Sequence, residues 1–354
     1  MIDAVDEGYS LYPGCPLDPG VKLVPLIPLS TVGSLQTWSL MRIATFNVEN
    51  LFTRYLFARG VNQRAAVSQG FTTEELRFRV AEPGSKRLTA QAMLALNADV
   101  FALQEVESLD VLNQFRHRYL GGPDCWPHAL VIDGNDSRRI DVGVLSRYPI
   151  VHARSWQHLR VDEVYTFNRD CLEVDIDGPI GVLTLYVNHF KSMRAPNRTR
   201  GSGRALTRAK RHLQACAVQK IITDRFGADP SDAPFIVLGD FNDFIEDDQQ
   251  GRSAIRDFVQ WEALENVLDR LPVAERWTHF FTGNRRGLAP AYRQLDFLLP
   301  SRGLAARNPG LPQLERRGQP KRARRYRGER FEGIGQSRPK ASDHCPIVFE
   351  LKRL

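Results

Sequence analysis

In the stretch VLGDFND, residues 237–243, apolar residues deliver the chain to Asp240, Asn242 and Asp243. Burying a carboxylate without a partner is costly, so such a strand meets either solvent or a bound cation at its tip. The pattern recurs along the chain. IATFN ends on Asn47 with Glu49 two residues on, VFALQE ends on Glu105, and LTLYVNH ends on Asn188 and His189. Asp296 lies within RQLDFLL, and Ser342, Asp343 and His344 precede the last apolar run. Singly, each has a plain reading as a turn former, a solvated strand end or a satisfied histidine. As a set they are carboxylates and carboxamides without cysteine, which suits a hard cation such as Mg²⁺, with Mn²⁺ as a substitute. Two histidines beside such a cation add acid–base and phosphate-stabilising chemistry.

These side chains can work together only if the strand ends share one rim. RIATFNV, DVFALQEV, HALVI, IDVGVLS, CLEVDI, GVLTLYVNHF, PFIVLGDFND, RQLDFLL and DHCPIVFEL all read as strands, several arriving in consecutive pairs. Helices are expected over Ser85 to Asn97, capped by Ser85, and after Ser108, with Gly121 and Gly122 as the stop. The longest, RALTRAKRHLQACAVQKIITDRF, turns Leu206, Ala209, Leu213, Cys216, Ala217 and Ile221 inward and leaves a basic outer face. Paired strands with helices between the pairs suggest two mixed sheets packed together and covered by helices. One domain over residues 41–354 is expected, because the composition does not break there. Residues 1–40, rich in proline and without periodicity, read as a poorly structured extension that need not belong to the native product.

Composition narrows the partners. A net charge of +7 favours polyanions such as nucleic acid, phosphorylated metabolites or a membrane surface. The five cysteines are scattered, with no CxxC pair, which fits free thiols in a reducing compartment such as the cytoplasm. No apolar run reaches the roughly 20 residues that span a bilayer. The one biased segment is ERRGQPKRARRYRGER, residues 315–330. It reads either as a solvated loop or as a phosphate grip in which Arg322, Arg324 and Arg325 contact substrate and Tyr326 stacks on a base.

FNVENLF, LQEVE, VNHFKS, GDFND, LDFLL and SDHCPI, in that order, resemble the endonuclease/exonuclease/phosphatase superfamily. The resemblance covers about 300 residues and implies a four-layer α/β/β/α sandwich and metal-dependent phosphoester hydrolysis. Carried over position by position, it implies that Asn47 and Glu105 hold the metal, with Asp343 an additional acidic residue near it and Glu49 a further candidate ligand. Asp240 would orient or deprotonate the attacking water, and Asn242 would help place it. His344 would donate to a phosphate oxygen, with Asp296 fixing its tautomer, and His189 would face the phosphate or leaving group. Arg147, in LSRYPI, is a candidate phosphate contact. The Trp-x-Asp-Arg signature of inositol polyphosphate phosphatases is absent at YRQLDFLL, and Glu105 is followed by Val106-Glu107 rather than the Thr-Lys of abasic-site endonucleases. VNHFKS is closer to deoxyribonucleases and sphingomyelinases. No charge-free aromatic loop suggests membrane insertion, so no stable membrane association is expected and nucleic acid is the expected substrate. The alternative is a phosphatase or sphingomyelinase-like phosphodiesterase on a small or lipid phosphoester.

Overall fold

The computed structural model describes residues 40–161, 163–194, 201–283 and 289–354. The extension expected over residues 1–40 lies outside the described residues apart from Leu40. Six strands form one mixed sheet, in spatial order β16 (Gln313–Leu314), β17 (Ile347–Leu351), β1 (Met41–Leu51), β4 (Val100–Val106), β6 (Asp141–Ser146) and β5 (His128–Val131). Five form a second: β15 (Asp296–Pro300), β12 (Phe235–Asp240), β11 (Gly181–His189), β10 (Cys171–Gly178) and β7 (Ile150–Ser155). Two-stranded ribbons stand outside them. β2 (Thr53–Phe57) pairs with β3 (Leu76–Val80) across an insertion that holds α1 (Gln63–Gln69). β8 (Arg160–Val161) pairs with β9 (Val164–Tyr165), and β13 (His279–Phe281) with β14 (Ala291–Arg293).

Side-chain alternation builds the layers. Ile43, Val100 and Val142 of the first sheet meet Leu172, Leu185, Ile236, Leu238 and Leu298 of the second in one buried apolar layer. The alternate residues Ala44, Phe46 and Phe101 face outward onto α2 (Pro83–Leu96) and α3 (Leu109–Tyr119), against Leu88, Met93, Leu112 and Phe115. On the other side Tyr186, Phe235 and Val237 pack on Val218 and Ile222. The order helix, sheet, sheet, helix is the four-layer sandwich expected from the strand pairs. Among the described residues no helix is long and apolar enough to cross a membrane.

The central pairs β1·β4 and β11·β12 are parallel, with Asn47 opposite Gln104 and His189 opposite Asp240. Antiparallel β15 begins with Asp296 opposite Asp240. The polar strand ends therefore share one rim, the usual place for a site on such sheets.

Two local expectations change. Ser108 caps α3 by accepting from the Val111 N–H, as expected, but α2 starts at Pro83, with Ser85 buried inside it. Proline suits the first helical position, where its missing N–H has no partner to lose. The long helix is interrupted at Thr207 into α4 (Gly203–Leu206) and α5 (Arg208–Phe226). Its inward residues are Arg211, Gln214, Ala215, Val218, Ile221 and Ile222, while Leu206, Ala209 and Cys216 are exposed.

Asp243 is the cause. Fully buried, it accepts from Arg204 Nε at 2.7 Å and Arg211 Nε at 3.0 Å, and from the N–H groups of Phe244 and Ala254. Drawing both guanidinium groups inward turns the helix about its axis. Asp243→Ala would leave buried Arg211 without a carboxylate and buried Arg204 with Asp248 alone, 3.0 Å from its Nη1. It should cost about 3–5 kcal/mol, read as a lower denaturant midpoint. A loss below about 1 kcal/mol would mean that the arginines' carbonyl contacts suffice.

Candidate active site

Asp240 lies at the centre of the rim and is 1% exposed. Gly239, just before it, has φ +134°, and a Cβ there would sit 1.9 Å from the Asn188 carbonyl oxygen. Only glycine permits that approach, which brings β11 and β12 together at the site. Asp240 Oδ2 accepts from Asn47 Nδ2 and Asn242 Nδ2, both at 3.0 Å, and Oδ1 accepts from the Asn242 N–H at 2.8 Å. Asn242 Nδ2 also reaches the Phe190 carbonyl at 3.2 Å. Burial pushes the Asp240 carboxyl up to about 7; nearby His344 lowers it and Asp296 raises it. Glu49, Glu105 and Asn242 all adopt positive φ, a conformation that costs energy in non-glycine residues and clusters at functional sites.

His344 Nδ1 is 2.8 Å from Asp296 Oδ2, and its Nε2 is 3.9 Å from Asp240 Oδ2. Burial disfavours its charge, yet Asp296 and Asp240 together hold its pKa well above the ordinary histidine value. The two carboxylates favour the imidazolium form of this ring. His189 Nε2 approaches Asp240 Oδ2 at 3.5 Å from the other side. Burial, then Arg169 and His344, press its pKa well below the ordinary value, so this ring is neutral. One carboxylate thus lies between two imidazoles whose surroundings favour opposite charge states.

The acidic flank adjoins this centre. Glu105 is half-buried; its Oε1 is 3.4 Å from Asn47 Nδ2 and its Oε2 accepts from the Asn50 N–H at 2.9 Å. Among the described residues it forms no ion pair, so its charge is free for a cation. Asp343 is one-third exposed, 3.7 Å from Lys340 Nζ and 3.9 Å from His279 Nε2. Partial burial would raise its carboxyl, but Lys340, His344 and His279 outweigh this and hold it below the usual range. Asn47 Oδ1 accepts from the Glu49 N–H at 3.0 Å and keeps a second lone pair. By donor type Asn47, Glu105 and Asp343 suit a hard divalent cation, whereas the carboxylate and imidazole atoms that lie within 4.8 Å of one another are those of His279, Asp343 and His344 and those of Asp240, Asp296 and His344.

Glu49 is differently placed from the expectation. It spends its oxygens on Arg338 Nη2 at 2.8 Å, Lys340 Nζ at 2.9 Å and the Asp343 N–H at 3.1 Å. Burial, then Asp343, raises its carboxyl against these cations. It braces the segment that carries Asp343 and His344.

Arg147 is not at the rim. Its guanidinium pairs with Asp99 Oδ1 at 2.9 Å and Asn97 Oδ1 at 3.0 Å and lies over Trp126. Asp99 precedes β4, and the six-residue advance to Glu105 along that strand covers about 20 Å. The Arg-Tyr-Pro turn thus serves the opposite end of the sheet. In the basic segment, Arg316 reaches the Glu275 and Trp277 carbonyls, Arg317 pairs with Glu315, and Arg330 reaches the Gln319, Ala323 and Tyr326 carbonyls. Tyr326 donates to the Glu329 carbonyl under the Arg330 guanidinium, so it is not the open stacking platform of the phosphate-grip alternative. Arg322, Arg324 and Arg325 are exposed, with Arg325 over the Tyr292 ring at 4.7 Å.

Three residues escaped the sequence reading. His279 packs on His344 at 4.6 Å between ring centroids; burial, then the His344 cation, presses its pKa to about 3. Arg169 Nη1 donates to the Phe190 carbonyl at 2.8 Å, the oxygen Asn242 also uses, and its Nε lies 3.0 Å from Asp136. Lys86 Nζ holds the Val48 and Glu49 carbonyls at 2.6 and 2.5 Å, and burial lowers its pKa to about 8 despite Glu49 and Glu105. A lysine in helical phase with Ala90 and Met93 was a usable signal. His279 had none.

Comparison with known proteins gives a consistent result. A truncated TDP2 from Caenorhabditis elegans superposes with TM-score 0.50 at 14% identity, covering 88% of this chain and 97% of that one. The human Nocturnin catalytic domain with bound sulfate gives 0.52 at 15%, covering 88% and 93%. An endonuclease/exonuclease/phosphatase from Beutenbergia cavernae gives 0.51 at 16%, covering 89% and 72%. At these identities the likeness is one of fold. No match is found among curated protein sequences. The model of the Endonuclease/Exonuclease/phosphatase family matches residues 44–344. That match takes in the whole rim from Asn47 to His344, and with it the chain belongs to the endonuclease/exonuclease/phosphatase family.

Proposed function

We propose that the chain is a metal-dependent phosphodiester hydrolase whose substrate is nucleic acid, cut by activated-water attack. The observation that carries this reading is Asp240: a buried carboxylate with its pKa near 7, oriented by Asn47 and Asn242 and placed between His344 and His189. A base poised near neutrality is suited to take a proton from water. Asn47 and Asn242 fix the orientation of the carboxylate. His344, kept cationic by Asp296, donates to a non-bridging phosphate oxygen as negative charge builds up. Neutral His189 supplies a hydrogen bond on the other side of the phosphate. Asn47, Glu105 and Asp343 would hold Mg²⁺, or Mn²⁺ in its place, which as a Lewis acid supplies charge stabilisation at the phosphate. Glu49, Lys340 and Arg338 position Asp343.

Nucleic acid is favoured as substrate by the net charge of +7 and by the exposed arginines 322, 324 and 325. The test is incubation of the full chain with supercoiled plasmid and with a chromogenic phosphodiester, with Mg²⁺ or with EDTA. Nicking and hydrolysis should both require the cation, vanish with EDTA and return with Mg²⁺ or Mn²⁺. Hydrolysis of the small diester without nicking would move the assignment to a small or lipid phosphoester. Undiminished turnover in EDTA would reject the metal dependence.

A further inference from the structure

The β2–β3 ribbon is rooted beside Glu105. Glu107, two residues further along the chain, accepts through Oε2 from the Thr53 N–H at 2.6 Å and hydroxyl at 2.8 Å. At the same end of the ribbon, beside the Thr53–Val80 pair, the Ala81 N–H donates to the Phe52 carbonyl at 2.8 Å.

The register assigns two different faces. Tyr55 pairs with Phe78 and Phe57 with Leu76 on one; Arg54 pairs with Arg79 and Leu56 with Arg77 on the other. The aromatic face meets the protein through Phe78, which packs against the helix-side core, while Tyr55, edge to face with Phe78 at 5.6 Å, is itself 64% exposed. This turns Arg54, Arg77 and Arg79 to solvent, all three exposed. Arg54 and Arg77 donate to the local carbonyls of Thr53, Glu74 and Leu76, and none of the three forms an ion pair among the described residues.

Like charges directly opposite on a ribbon oppose its formation, so this array is unfavourable for the free protein and favourable against a polyanion. Two residues advance about 6.8 Å along a strand, a reach on the scale of neighbouring phosphates on a duplex. A two-stranded ribbon also fits the major groove of B-form DNA, roughly 12 Å wide, whereas the A-form RNA groove is too narrow.

We propose that the β2–β3 ribbon is a duplex-DNA-binding arm, lying along the major groove with Arg54, Arg77 and Arg79 on the flanking phosphates. The inference rests on the nucleic-acid reading of the site and narrows it to double-stranded DNA.

The test uses the full chain and the triple variant Arg54→Gln, Arg77→Gln, Arg79→Gln. Fluorescence anisotropy with a short duplex DNA, and with duplex RNA of the same sequence, is measured over a salt series in EDTA to prevent cutting. The slope of log Kd against log salt should fall by about 2–3 in the variant, at about 0.9 for each phosphate no longer neutralised. The preference for DNA over RNA should collapse, and the ratio of plasmid nicking to chromogenic-diester hydrolysis should drop. Melting temperature should hold or rise, because opposed charges are removed; if the triple variant fails to fold, Arg79→Gln alone should lower the slope by about one. An unchanged slope with a wild type that binds DNA would overturn the arm. Equal wild-type affinity for the two duplexes would overturn the major-groove assignment. A wild type that hydrolyses the small diester but binds neither duplex would remove the nucleic-acid reading and the arm with it. Loss of binding to phosphatidylserine vesicles, with DNA binding intact, would make the ribbon a membrane contact instead.

Discussion

Replacing Asp240 by asparagine should lower kcat by a factor on the order of 10³, while the protein stays folded and at least as stable. The two effects share one cause. Burial raises the Asp240 carboxyl to about 7, so the folded state disfavours its charged form. A carboxyl raised in this way costs stability above its unfolded value, and the cost grows until pH passes the folded value. Asparagine keeps the shape and removes both the charge and the base. Stability gained where turnover is lost is the expected mark of a strained functional group. Thermal melts at neutral pH, beside single-turnover rates on a chromogenic diester, measure both. A variant within tenfold of wild-type turnover would remove Asp240 from the water-activating role, and Asn47 and Asn242 with it.

The second large effect concerns the histidine charge. Asp296→Asn should move the alkaline limb of kcat/KM to lower pH by about 1–2 units and reduce the rate at neutral pH by at least tenfold. Asp296 Oδ2 is 2.8 Å from His344 Nδ1 and is the leading interaction that keeps the imidazolium, against the cost of burial. Without it the ring loses its proton earlier as pH rises, and donation to phosphate fails sooner. Stability follows the same sign. A histidine whose folded pKa is raised contributes fully below its ordinary value and loses that contribution as pH rises through the folded value. The wild type should therefore lose more stability than the variant on going to alkaline pH. His344→Gln should abolish the alkaline limb. A limb unmoved in Asp296→Asn would assign it to another group.

Local pattern carried much of the architecture. Alternation in IATFN and VFALQE, and the polar residues ending those runs, named the strands and their tips without reference to the rest of the chain. Side-chain period and the desolvation cost of a carboxylate are properties of a few consecutive residues. The tertiary structure decided what distant pairing and electrostatics decide. Gly239 against Asn188 brings Asp240 beside His189, and β15 brings Asp296 to His344. Asp243 draws Arg204 and Arg211 inward and overrules the apolar stripe of α5. Asp99 takes Arg147 to the far end of the sheet, and Lys340 and Arg338 occupy Glu49. A carboxylate's role depends on which cation lies within a few ångströms of it in the dry interior. In this protein those cations lie tens to hundreds of residues away along the chain. The residue types at the rim were determined by the sequence alone; which of them face a substrate, and which only hold the others in place, was decided by the fold.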